Sequence, residues 1–237
     1  MGSAIDPFLP GALAIVWRWT ALIYGERFEE ALTYAARLHR TQMRKGTNVP
    51  YVTHLLAVAA IVGENGGTED EVIAALLHDA VEDQGGAATR EEIRKRFGDA
   101  VATIVDGTSD TDVIPKPPWR ERKRNYVAHV SSSSRSVRLV SAADKLHNAR
   151  SILRDLRAEG EVTWQRFSAG RDDQLWYYRA LVDAFRTAGG ADEIVDELEE
   201  VVEEISGGHP STVGRILSTP AGGGPPVGEV EAQCDPE

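Results

Sequence analysis

Apolar residues recur at helical spacing in one segment after another, and no stretch of useful length alternates in the manner of a strand. Phe28, Ala31, Leu32, Ala35 and Leu38 form a stripe between Glu26 and Met43, and Ile194, Leu198, Val201 and Ile205 form another between Asp192 and Ile205. Such a chain is confined to an all-α fold. Its 42% hydrophobic content is enough to close a real core over much of the 237 residues.

One stretch departs from simple amphipathic patterning. In Ala75-Leu76-Leu77-His78-Asp79-Ala80-Val81-Glu82-Asp83, a histidine and three carboxylates follow a nearly unbroken apolar run. Thr68 and Glu71 have the spacing of a capping box, so a helix should begin at Thr68 and bury Val72, Ile73, Leu76, Leu77 and Ala80. On that helix His78 and Glu82 lie one turn apart, and Asp79 sits beside Glu82 and Asp83. Four ionisable groups on a buried helix need partners, a metal or shifted pKa values, because each desolvated charge is costly. Adjacent His and Asp suit a divalent ion, with the further carboxylates free to act on a water. A helix end carrying solvated charges is the competing account.

Other segments could complete such a site. Thr53 reads as the N-cap of His54 to Val62, an apolar helix whose only titratable group before Glu64 is His54. The turn Gly63 to Gly67 would set that helix antiparallel to the next, bringing His54 towards His78. Thr89 and Glu92 repeat the capping-box spacing, Gly98 reads as a stop, and Asp99 opens another short helix. A buried helix through Val137, Val140 and Leu146 carries Asp144 and Asn148 one turn apart, so a carboxylate and an amide would project together. Arg44 and Lys45 lie in a Gly-, Asn- and Pro-containing loop, where two cations can meet phosphate or a base or simply be solvated. Arg120, Arg122, Lys123 and Arg124 form the main basic cluster on a helix starting at Trp119, after a proline-rich loop holding Asp110 and Asp112 that could serve as a lid.

The formal net charge of −11 argues against a nucleic-acid surface but leaves room for a small phosphorylated substrate held by local cations. The apolar run Phe8 to Tyr24 contains Arg18, is broken by Pro10 and Gly11, and is not expected to span a membrane or act as a signal peptide. Residues 1–25 read as a leader that packs on the body or on a second subunit. The expected body covers 26–190, an acidic helix follows at 191–206, and the Gly- and Pro-rich 207–237 should be a disordered tail. The single cysteine, Cys234, excludes an internal disulfide and fits a cytoplasmic protein.

Taken in order, His54, His78-Asp79, Glu82-Asp83 and Ala143-Asp144-Lys145-Leu146-His147-Asn148-Ala149-Arg150, with Arg44-Lys45, Pro50-Tyr51-Val52-Thr53-His54 and Arg96-Phe97-Gly98, resemble the HD-domain phosphohydrolases. More narrowly they resemble the hydrolase domain of RelA/SpoT enzymes and the small stand-alone alarmone hydrolases. The resemblance implies an HD-domain helical bundle in which His54, His78, Asp79 and Asp144 bind a metal, manganese (Mn2+). It further implies that Glu82 and Asp83 position or deprotonate the attacking water and assist the leaving group. Asn148 would contact the ribose, and Arg44 and Lys45 the base or nearby phosphates. The implied reaction removes pyrophosphate from the 3′ position of guanosine tetra- or pentaphosphate (ppGpp, pppGpp). Three positions depart from the family pattern: Gln84 where a threonine is common, Ser141 where a lysine is common, and Trp119 in place of a basic residue. They leave open another nucleotide, such as a deoxynucleoside triphosphate or the 2′-phosphate of NADPH.

Overall fold

The computed structural model describes residues 24–109 and 117–207. The leader before Tyr24, the proposed lid with Asp110 and Asp112, and the tail with Cys234 lie outside the described residues. The described residues form nine α-helices and one 3₁₀ helix, and contain no strand.

Chain order is α1 (Glu26–Leu38), α2 (Val52–Glu64), α3 (Glu69–Leu77), α4 (Ala80–Asp83), α5 (Ala87–Thr108), α6 (Trp119–Ser132), α7 (Arg135–Glu159), the 3₁₀ helix Gly160–Arg166, α8 (Arg171–Ala188) and α9 (Asp192–Ile205). Two helices organise the rest. α3 packs against α1, α2, α5 and α7, so it is buried around its whole circumference from Glu71 to Leu77, including Ala74 and Ala75 outside the expected stripe. Its capping box is formed as the spacing predicts, with Thr68 accepting from the Glu71 amide while the Glu71 carboxylate accepts from Thr68 N.

α7 packs on α2, α3, α5 and α9, and the buried Ala142, Ala143 and Ala149 keep its inner face narrow. Asp144 projects from that face. α9 closes the far side against α7 and α8, burying Ile194, Val195, Leu198 and Val202. Its acidic outer face pairs with Arg150 and Arg157 of α7 and Arg186 of α8. Arg171 and Arg179 hold its carbonyl end through Ser206.

Two expected caps are not used. α2 begins at Val52, and the Thr53 hydroxyl donates back to the Pro50 carbonyl. α5 begins at Ala87, and the Thr89 hydroxyl donates to the Gln84 carbonyl. A threonine hydroxyl inside the first turn has a carbonyl within reach, and it takes that bond instead of capping an amide. Gly98 does interrupt α5, with φ of 89° between two helical halves. No helix among the described residues is long and apolar enough to cross a membrane.

Candidate active site

The antiparallel arrangement of α2 and α3 brings His54, in the first turn of one, against His78, at the end of the other, with ring centroids 5.1 Å apart. α7 supplies Asp144 to the same point. The ligand atoms of His54, His78 and Asp144 lie within 4.8 Å of one another, and all three residues are buried. Asp79 lies just outside this grouping and joins it through Oδ2, which is 3.0 Å from His78 Nε2 and 3.6 Å from His54 Nε2. Asp144 Oδ1 is 3.7 Å from His78 Nε2 and 3.2 Å from His54 Nε2.

Hydrogen bonds behind this cluster fix the direction of each group. His78 Nδ1 lies 2.8 Å from the Ala75 carbonyl, which can only accept, so Nδ1 carries a proton and Nε2 is the nitrogen that faces the carboxylates. That Nε2 is buried and makes no well-aligned hydrogen bond among the described residues. His54 Nδ1 is 2.7 Å from His147 Nδ1, so one ring donates and the other accepts. Asp79 Oδ2 accepts from the Tyr51 hydroxyl at 2.5 Å. Asp144 Oδ2 accepts from Lys145 at 2.5 Å, while Oδ1 accepts from Asn148.

The electrostatics match the crowding. Burial opposes charge on His78, but the Asp79 carboxylate, helped by Asp144, outweighs it and holds the imidazole well above its usual range. Burial likewise works against ionised Asp79 and Asp144, yet His78 in the first case and Lys145 in the second, with the nearby ring nitrogens of both histidines, hold the carboxyls well below theirs. His147 goes the other way: burial, then His54 and Arg44, push it down to about 4. Two imidazole nitrogens and two carboxylate oxygens converging in a buried space, one nitrogen without a proton-sharing partner, are a donor set that fits a divalent cation.

Around this cluster, the remaining candidates divide. Arg44 is drawn in, donating to Asn148 Oδ1 at 2.8 Å, and Asn148 Nδ2 donates to Asp144 Oδ1 at 2.5 Å. Asn148 therefore spends both ends of its amide within the protein. Lys45 is exposed on the turn that follows, which the Met43–Pro50 bridge closes. Glu82 and Asp83 stand on α4, with the Asp83 amide bonded to the Asp79 carbonyl at 2.9 Å and its side chain accepting from Gln42 at 2.7 Å. Tyr51, His147, Gln42 and His39 reach the site without having been assigned a role in it. Tyr51 and His147 stand inside conspicuous motifs, but only the folded chain aims them.

At the departing positions, Ser141 accepts from the buried Tyr126 hydroxyl at 3.0 Å. Lys145 lies over the Tyr126 ring at 4.9 Å. Trp119 packs edge-on against Tyr177 with centroids 5.9 Å apart.

The sequence model of the HD domain matches residues 31–175, which carry His54, His78, Asp79, Glu82, Asp83 and Asp144. The chain belongs to the HD-domain family. Within it, the chain is 34% identical over 181 residues to the guanosine-3′,5′-bis(diphosphate) 3′-pyrophosphohydrolase MESH1 of Drosophila melanogaster, covering 75% of this chain and 94% of that protein. It is 42% identical over 128 residues to the enzyme of the same name from Xenopus tropicalis, covering 53% of this chain and 69% of that one. A solved structure described as a metazoan ortholog of SpoT that hydrolyzes ppGpp superposes with a TM-score of 0.63 at 32% identity, covering 76% of this chain and 96% of its own. The all-α bundle is thus the family's fold. α9 lies beyond the matched segment.

Proposed function

We propose that the protein hydrolyses guanosine 3′,5′-bis(diphosphate) and its pentaphosphate analogue, releasing GDP or GTP and pyrophosphate, with a divalent ion, manganese, held by His54, His78, Asp79 and Asp144. Its catalytic domain is taken as residues 26–190, with α9 an added closing helix. The observation that carries the reading is the Asn148 amide, which joins the Arg44 guanidinium to Asp144. An anion-binding cation and an ion-binding carboxylate are thereby set side by side, as a phosphorylated substrate requires. Relatives named for the same reaction support the choice of nucleotide.

A divalent ion in such a site lowers the pKa of a coordinated water and polarises a phosphoryl oxygen. The protein's own groups do the rest. His54 and His78 turn their Nε2 atoms to the site because His147 and the Ala75 carbonyl engage their other nitrogens. Lys145 and Asn148 hold Asp144, and Tyr51 holds Asp79. Glu82 and Asp83 take the proton of the attacking water and return one to the ribose 3′ oxygen as its bond to phosphorus breaks. Arg44 and Lys45 hold phosphate or base.

The test is to incubate purified protein with manganese and ppGpp and resolve the nucleotides by anion exchange. GDP and pyrophosphate should appear in equal amounts, and chelation or Asp144→Ala should abolish them. Intact ppGpp in the presence of metal-loaded protein would overturn the reading. A second reading, turnover of a deoxynucleoside triphosphate or of NADPH at its 2′-phosphate, is favoured by Ser141, a departure from the family pattern that the sequence resembles, whose oxygen accepts from Tyr126. The same assay run over those nucleotides separates the two.

A further inference from the structure

Between α1 and α2 the chain passes through Gln42, whose backbone is fixed on both sides. Its amide donates to the His39 carbonyl at 3.0 Å, and its carbonyl accepts from Tyr51 N at 2.9 Å. The side chain then touches three others. His39 Nδ1 lies 2.7 Å from Gln42 Oε1, Gln84 Nε2 lies 2.6 Å from the same oxygen, and Gln42 Nε2 lies 2.7 Å from Asp83 Oδ2.

These contacts decide which way the amide faces. His39 is only 2% exposed and its ring stacks on Tyr51, 5.3 Å between centroids at 17°. Its Nε2 is buried with no hydrogen-bond partner among the described residues, so a proton there would be stranded. The proton therefore sits on Nδ1 and is donated to Gln42 Oε1. With Oε1 receiving from His39 and Gln84, the NH₂ end can face only Asp83. The buried histidine sets the amide, and the amide sets the carboxylate.

A neutral donor suits this task. A lysine or arginine at that place would neutralise Asp83 and strip its basicity, whereas an amide orients an oxygen while leaving the group able to accept a proton.

We propose that Gln42 is a positioning residue for the hydrolysis, its amide locked by His39 and Gln84 so as to hold the Asp83 carboxylate for proton exchange at the reacting phosphate. The proposal rests on the reading that Asp83 takes part in the chemistry. Gln84 gives the relay its second donor to the Gln42 oxygen.

The experiment is a double-mutant cycle on the full chain with manganese, using whichever nucleotide the wild-type protein turns over. Gln42→Met keeps length and apolar bulk but removes both ends of the amide. It should lower kcat by about tenfold to a hundredfold, the range seen when a reacting group is misplaced, with KM within about twofold. Manganese affinity by calorimetry should stay at the wild-type value, since Gln42 touches none of the four proposed ligands. In an Asp83→Asn background the same substitution should cost nothing further. Unchanged kcat in Gln42→Met, or a loss that multiplies fully with that of Asp83→Asn, would overturn the proposal. Full activity of Asp83→Asn would instead remove the reading beneath it. Should Gln42→Met fail to fold, Gln84→Ala carries the comparison from the surface: a several-fold fall in kcat that vanishes in the Asp83→Asn background supports the relay, and an unchanged kcat overturns it.

Discussion

At His54 the position of one proton depends on a residue 93 places further along the chain. His147 stays neutral near pH 7 because burial, then His54 and Arg44, push it down to about 4, so its Nδ1 is available as an acceptor. His54 can then donate from Nδ1, which would leave Nε2 for an ion held beside Asp144. Replacing His147 by leucine removes the acceptor and frees the His54 tautomer. Metal affinity, measured by titration calorimetry on the purified chain, should fall by about 10- to 100-fold, the usual effect of losing an outer partner of a ligating histidine; an unchanged affinity would mean that packing alone orients the ring. The candidate ligands were visible in sequence because His78-Asp79 interrupts an apolar run and Asp144 sits among alanines. Their supporting partners were not, since His147, Tyr51 and Gln42 bond across the tertiary structure and no local spacing encodes that.

The helices themselves differ in how openly the sequence announces them. α3 starts where the Thr68–Glu71 spacing says it should, and Thr68→Ala should cost about 1 kcal/mol, read as a lower denaturation midpoint at unchanged slope. The same spacing misleads at Thr89, and an N-cap motif misleads at Thr53, because there the hydroxyl donates to a carbonyl and a different residue begins the helix. Gly98 is legible for a firmer reason. Its φ of 89° is one that side chains rarely adopt, so Gly98→Ala should destabilise by about 1 kcal/mol or more even though open space surrounds the position. The break at His78-Asp79 was harder to see. Periodicity runs through it from Val72 to Ala80, but α3 ends at Leu77 and α4 restarts at Ala80, and it is this junction that delivers Asp79 between the two histidines.

Across the whole molecule, the candidate ion site draws one group from α2, two from the α3–α4 junction and one from α7, so an ion there would tie α7 to the α2–α3 pair, from which a long segment separates it in sequence. Anything that binds the folded state alone stabilises it, by about 2.7 kcal/mol at a hundredfold excess over Kd. Chelation should therefore lower the midpoint of global unfolding, and the size of that effect should depend on pH in a stated direction. Without the ion, protonated His78 pairs with Asp79 and Asp144, and its pKa is raised above the ordinary 6.5. A raised pKa in the folded state contributes stability that is fully present below that ordinary value and is lost as pH rises through the folded-state one. The metal, by contrast, competes with that proton and binds better as it leaves. The gap in Tm between the manganese-loaded and chelated protein should thus widen steadily from pH 6 upward, and calorimetry in buffers of different ionisation enthalpy should record proton release on binding. A gap that stays constant, with no proton released, would place the ion somewhere other than between these two histidines.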